Sequence, residues 1–324
     1  MKLELLEILR CPQSGQRLKL EGDQLAEIDN GWLVTIDGRY RYPIRNRIPR
    51  FVPESNYADN FGMQWNHFRT TQLDSHSQHP ISSNRFWGAT GWQGTDLKGQ
   101  WVLDAGCGAG RFAEVAAKAG AKIVALDYSS AVDACYSNLK HHSNLHVVQG
   151  DIYSLPFQRE AFAFVYSLGV LQHTPDVRKA FESLPAMLQP EGKICVDYYE
   201  KSWRDYFHAR FWLRPITKRM PQQTLFGMLR ILVPIMLPLS RAVRRIPIVG
   251  KGLSRLVPVV NYEGILPLTR SQHDEWSLLD TFDWLGPKYD QPQTPATARL
   301  WMENAQLREI EILKVGHLVA RGHK

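Results

Sequence analysis

From Gln100 onward, short apolar runs alternate with amphipathic stretches. Trp101–Leu103, Ile123–Leu126, Leu145–Val148, Phe162–Ser167 and Lys193–Tyr198 read as buried strands, and Gly110–Ala119, Ser129–Asn138 and Val177–Leu188 as helices, with Gly192 in the turn before the fifth strand. Such alternation predicts parallel βαβ units in one open α/β sheet. Pro295–Ala305 then reads as a helix, and Leu307–Leu313 with His317–Ala320 as a strand pair turned at Gly316. Ahead of the sheet, an amphipathic helix at Leu3–Leu9 precedes strand-like runs at Arg17–Leu20, Leu25–Ile28, Trp32–Ile36 and Arg39–Ile44. Gly15, Gly22, Asn30-Gly31 and Asp37-Gly38 separate them. Roughly 50 residues make a marginal core, so this β-rich unit is expected to lean on its neighbour.

Two stretches break the alternation. Residues 55–98 are polar and aromatic, and Phe61, Trp65 and Phe68 are spaced to share one helix face, so helix and loop are expected there. Residues 204–260 interleave Lys and Arg with Phe, Trp, Leu, Ile and Val. Pro215, Pro221, Pro234, Pro238, Pro247 and Pro258 predict several short helices in it rather than one long one. The expected organisation is a β-rich unit at 1–54, a helical and loop linker covering the site at 55–98, an α/β core at 99–200, a helical cap at 201–275 and a completion of the core sheet at 276–324.

Composition narrows the class. At 324 residues, 44% hydrophobic and 22% charged, the chain can bury a real core and is not a disordered one. Cys11, Cys107, Cys135 and Cys195 form no CxxC pair, which excludes a disulfide framework and an all-cysteine zinc site and suits a reducing compartment. Glu4 and Glu7 interrupt the first apolar run, so no secretory leader is expected. Leu225–Leu239 is broken by Arg230, Pro234 and Pro238, so no membrane-spanning helix is expected either, and the cytoplasm is the expected location. The net charge of +7 is uneven: residues 204–260 hold eleven Lys and Arg against one acid, Asp205. That segment carries +10 and leaves −3 for the rest.

The sharpest chemical signal is Asp104-Ala105-Gly106-Cys107-Gly108-Ala109-Gly110-Arg111, where a buried strand runs through alternate glycines into a helix. Glycine lets a ligand approach bare backbone, and the helix N-terminus offers N–H donors. A dinucleotide fingerprint would need a glycine at Arg111, and the acid Asp104 suits a cationic ligand better than a pyrophosphate. Two further carboxylates follow the second and third strands: Asp127, 17 residues past Gly110, and Asp151 in Gln149-Gly150-Asp151-Ile152. A carboxylate at the first of these positions can accept two hydrogen bonds from a diol.

With these landmarks in this order, residues 100–200 resemble the class I S-adenosylmethionine-dependent methyltransferases. The resemblance implies a Rossmann-like sheet closed by an antiparallel hairpin, with S-adenosylmethionine as co-substrate. It puts Asp104, Gly106, Cys107, Gly108 and Gly110 around the methionine and ribose parts, and Asp127 with Tyr128 at the ribose hydroxyls. Asp151 would face the adenine amino group with Ile152 on the ring, and Ser167 would join them from the fourth strand, in Phe164-Val165-Tyr166-Ser167-Leu168-Gly169. His173, in the loop after that strand, is the candidate general base for a hydroxyl acceptor; a histidine that caps a helix or packs under the co-substrate is the plainer alternative. Asp176 reads as the cap of the next helix, and no carboxylate cluster suggests a metal.

Leu9-Arg10-Cys11-Pro12, Arg39–Ile44 and Ile48-Pro49 resemble the small zinc-binding activator subunit of tRNA and protein methyltransferases. Of that family's paired cysteines only Cys11 is kept, with Ser14 and Gly15 in the partner's place, so a structural or docking role is expected and zinc is not. For residues 204–260 three readings stand side by side: a helical lid with solvated arginines, an interfacial element for anionic lipid, and an RNA-binding surface. The apolar run suits lipid better than phosphate. Asp280–Tyr289 resembles a segment of bacterial methyltransferases of glycan, natural-product and lipid-linked pathways, and its polar and aromatic residues are expected to line an acceptor pocket. The expectation is thus a cytoplasmic methyltransferase, peripheral at the inner membrane face if the cap binds lipid. Its acceptor would be a small, amphiphilic or lipid-linked molecule methylated on oxygen. An RNA methyltransferase and a catalytically silent, cofactor-binding activator subunit are the alternatives.

Overall fold

The computed structural model describes residues 1–21, 27–53, 58–203 and 207–324, with the side chains of Asp59 and Asn60 left aside. Gly22 and the first half of the strand expected at Leu25–Ile28 lie outside the described residues, as do Arg204 and Asp205. The chain forms two compact units, one of residues 1–69, 82–200 and 291–324, the other of 70–81 and 201–290. The helical segment expected at 201–275 thus belongs to a unit that runs to 290 and takes in residues 70–81.

In the first unit, α1 (Leu3–Ile8) leads into an antiparallel sheet ordered β1 (Leu18–Glu21), β2 (Gly31–Thr35), β3 (Arg41–Arg45) and β4 (Ile48–Pro49). Then come α2 (Asp59–His67), α3 (Asp74–Ser77, in the other unit), α4 (Ile81–Thr90) and α5 (Gly94–Leu97). The α/β part runs β5 (Trp101–Ala105), α6 (Arg111–Lys118), β6 (Lys122–Asp127), α7 (Ala131–Leu139), β7 (Leu145–Gln149), β8 (Phe162–Ser167), α8 (Val177–Glu182) and β9 (Leu188–Tyr198). Strands β5 to β9 pair in parallel. After α13 (Pro295–Asn304), β10 (Arg308–Val315) and β11 (His317–His323) form the hairpin, and β11 pairs antiparallel with β9. The order β10-β11-β9-β8-β5-β6-β7 reverses direction at β5, so the crevice at its carboxyl end is the switch point where open α/β sheets take ligands.

Both faces of this sheet are covered. Leu103, Val124, Leu126 and Val165 enter one apolar cluster, while their neighbours Val102, Ile123, Ala125 and Phe164 enter the other. That is why these strands read as unbroken apolar runs rather than alternating ones. Helix α8 stops at Glu182, short of the expected Leu188, because Pro185 lacks the N–H a helix interior needs; a 3-10 turn, Pro185–Met187, replaces its last turns. The β-rich unit leans on the sheet as expected. Leu5, Leu9, Ile44 and Phe51 share a core with Val148 and Phe157, and the Phe51 N–H donates to the Gln149 carbonyl at 2.8 Å. The chain around β4 thereby covers the β7 edge, which would otherwise expose unpaired backbone groups.

The second unit is helical: α9 (Ala209–Thr217), α10 (Gln222–Arg244), α11 (Gly250–Leu253) and α12 (Arg270–Leu285). Here the sequence expectation is corrected. Helix α10 runs 23 residues unbroken through Pro234 and Pro238. Proline's fixed φ is compatible with a helix; its cost is a lost N–H bond and crowding at the carbonyl four residues back. Leu225, Leu229, Val233 and Leu237 are buried along the helix that packs on α12, and this packing outweighs those local defects. By length and apolar content α10 could also cross a membrane, contrary to the reading of its prolines as breaks. The Asp280–Tyr289 segment, expected to line an acceptor pocket, is engaged within its own unit. Phe282 is buried against Phe226, Asp280 accepts from the Tyr262 hydroxyl, and the Trp284 carbonyl accepts from Arg214.

Candidate active site

The turn after β5 places Gly106, Gly108 and Gly110 at φ values of 97°, 52° and 94°. A Cβ on Gly106 would strike the Val170 side chain, and one on Gly110 would sit 2.7 Å from Leu139 Cδ1. The backbone N–H groups of Gly106 and Cys107 donate to the Leu126 carbonyl, fastening the turn to β6. Gly108 N–H donates at 2.9 Å to Asp127 Oδ2, and Asp127 Oδ1 accepts from the Ser129 N–H and hydroxyl. The glycine turn and the acid on the second strand thus form one hydrogen-bonded unit at the switch point. Burial pushes the Asp127 carboxyl above the usual carboxylate range, and these hydrogen bonds pull it back.

Asp104 lies beneath the turn, 2% exposed, with its Oδ2 lacking any hydrogen-bond partner. Burial pushes its carboxyl up to about 8, the neighbouring Tyr166 hydroxyl opposing and the Asp127 charge adding to the rise. Asp151 opens the turn after β7, accepting the Tyr153 N–H at 2.9 Å, and burial raises its carboxyl too. Ile152 is buried in the core, and the Tyr128 carbonyl accepts from Gln149. Cys107 is buried, its thiol pushed up by burial and by Cys135. Ser167 is fully buried and donates to the Ala105 carbonyl at 2.7 Å, so its hydroxyl ties β8 to β5.

His173 ends a 3-10 turn, Leu171–His173, with its ring 5.4 Å from both Phe61 and Tyr199. The sequence reading missed several neighbours. Arg85 pairs with the buried Asp197 at 2.7 Å, and Asp197 accepts the Gly169 N–H, which pins the start of the His173 loop. Gln172 is fully buried with neither end of its amide hydrogen-bonded. Helix α2 brings Trp65 over Gly108, and Gly62 permits this, because a Cβ there would collide with the Ser130 hydroxyl. Only the mid-helix glycine hinted at that close approach in the sequence.

A glycine turn at the switch point, a buried carboxylate oxygen with no hydrogen-bond partner and a carboxylate at the end of the second strand are the groups a cationic nucleoside would use. Residues 103–196, which carry all of these, match the methyltransferase-domain family. They form a class I S-adenosylmethionine-dependent methyltransferase domain, and S-adenosylmethionine is its co-substrate. The chain is similar to the ubiquinone biosynthesis O-methyltransferase of Coxiella burnetii, 27% identical over 130 residues, or 40% of this chain and 56% of that one. It is also similar to that of Bradyrhizobium diazoefficiens, 28% identical over 132 residues, or 40% and 51%. The matches thus span about half the length of these relatives. Among solved structures, human N-acetylserotonin methyltransferase in complex with S-adenosylmethionine aligns over 84% of this chain and 60% of that one, at 14% identity and a TM-score of 0.47.

Co-substrate binding is expected to depend on pH through Asp104. Free, its carboxyl is largely protonated below about 8. A nearby cation favours the ionised form, so binding releases a proton. Affinity for S-adenosylmethionine should therefore rise by up to about tenfold per pH unit towards 8 and level off above it. Calorimetry in buffers of different ionisation enthalpy measures the proton released; affinity that stays flat between pH 6 and 8 would count against this role.

Proposed function

We propose that this protein transfers the methyl group of S-adenosylmethionine to an oxygen atom of a small or amphiphilic acceptor. The sulfonium supplies an activated methyl group and leaves as a neutral thioether, so the protein need not protonate the leaving group. Its work is to orient donor and acceptor and to remove a proton from the attacking atom. A hydroxyl gains most from that second service.

The observation that carries the reading is His173, held between Phe61 and Tyr199 in the loop at the carboxyl end of β8. Aromatic rings packed against the imidazole would suit a flat or apolar acceptor, for which the imidazole would serve as proton acceptor. The names of the similar curated proteins, both O-methyltransferases, lean the same way. The test offers methyl-labelled S-adenosylmethionine with separate panels of phenols, carboxylic acids, amines and thiols. Label in an alkali-stable ether or an alkali-labile ester supports the reading. Label on nitrogen or sulfur, or co-substrate binding with no turnover on any panel, overturns it.

A further inference from the structure

The second unit exposes an apolar surface that its own packing does not require. Of 21 large hydrophobic side chains exposed among the described residues, 15 lie between Trp203 and Leu256. On α10 two apolar stripes run side by side. Leu225, Leu229, Val233 and Leu237 are buried on the helix that packs against α12, whereas Met228, Ile231, Leu232, Ile235 and Leu239, at helical spacing, face solvent. The surface continues through Ile246, Ile248, Val249 and Leu253. Ile248 is fully exposed and has a φ of 67°, a backbone region that β-branched residues rarely adopt. An apolar loop tip in that conformation stabilises nothing within the chain. Contiguous exposed apolar surface of this kind marks an interaction site.

Charge selects the partner. Between Phe207 and Val260 there are ten Lys and Arg and no acid, and Lys218, Arg230, Lys251 and Arg255 are exposed. A second copy seated symmetrically on this face would set like charge against like. Nucleic acid would match the charge but leave the aliphatic stripe without a partner. Anionic lipid matches both, with headgroups for the cations and acyl chains for the stripe. Helix α10 is long enough to cross a bilayer. Its other stripe, however, is committed to α12, which carries Arg270, Asp274, Glu275, Asp280 and Asp283, and crossing would take those charges into hydrocarbon.

We propose that α10 and the Ile246–Leu256 segment dock, lying in the interfacial plane, on an anionic phospholipid bilayer. The proposal does not depend on the acceptor: a chain that methylates an acceptor and ignores vesicles overturns this inference alone. The full-length protein is sedimented with vesicles of phosphatidylcholine, and of phosphatidylcholine with phosphatidylglycerol, at low and high salt, with and without competing RNA. Partition onto the mixed vesicles that weakens with salt and ignores RNA is expected. Ile231→Ser with Ile235→Ser should weaken partition by about thirtyfold without changing its salt dependence. Lys251→Gln with Arg255→Gln should weaken it by about tenfold and flatten that dependence. Unchanged helicity and S-adenosylmethionine binding show that the variants remain folded. Absent or lipid-indifferent partition, displacement of the vesicles by RNA, or a dimer in solution that the two serine substitutions disperse would each overturn the proposal.

Discussion

Replacing Asp127 with alanine is expected to weaken S-adenosylmethionine binding by about a thousandfold. The carboxylate ends β6 and does two things at once. Its oxygens accept from Gly108 N–H at 2.9 Å and from Ser129 N–H and hydroxyl at 2.8 and 2.7 Å, which fixes the glycine turn. Three of the carboxylate's roughly four acceptor sites are thereby taken, so a ribose diol would share its oxygens with the donors of the turn. Two hydrogen bonds to a charged acceptor contribute about 1.5–3 kcal/mol each, and a loss of about 4 kcal/mol is about a thousandfold in affinity. Asp127→Asn separates the roles: it keeps the volume but turns an amide towards groups that are themselves donors. Calorimetry measures the affinity and thermal unfolding the turn. Binding within about tenfold of the parent protein in either variant would leave Asp127 a support of the turn and remove it from the ligand contacts.

The legible part of the site is the part built from local chain. Asp104, the three glycines, Asp127 and Asp151 each lie at or just beyond a strand's carboxyl end, so recognising the strands already aligns them along one sheet edge. Ser167 shares that placement, yet its hydroxyl bonds to the Ala105 carbonyl across the β5–β8 pair, a partner 62 residues away. Arg85 and Asp197 are likewise 112 residues apart, and neither has a pattern that names the other. Gly62 and Trp65 gain their meaning only when α2 lies against the Ser129-Ser130 turn.

The same distinction explains α10. Its prolines are local signals for breaks, whereas its stripe of buried leucines and valine is a tertiary commitment, and the tertiary term prevails. The basic, apolar character of the segment was legible all along. Which of its apolar residues face outward was not, because both stripes have the same composition and only packing on α12 tells them apart.

His173→Ala is expected to lower kcat by about a thousandfold while leaving S-adenosylmethionine affinity unchanged. The loop that carries His173 is held at both ends. Gly169 is fixed through Asp197 to Arg85, and the His173 N–H donates to the Val170 carbonyl at 2.9 Å. With Phe61 and Tyr199 flanking the ring, little freedom remains for the imidazole, which is the preorganisation a proton acceptor needs. The variant removes the proton acceptor while the glycine turn, Asp104, Asp127 and Asp151 stay in place, so its effect must appear in turnover and not in co-substrate binding. His173→Gln narrows the interpretation, since it keeps a hydrogen-bonding side chain that cannot take up a proton. Turnover lost equally in both variants identifies proton removal as the contribution. Turnover restored by glutamine makes His173 a positioning residue, and turnover retained by alanine with a lowered Tm makes it part of the aromatic packing between Phe61 and Tyr199.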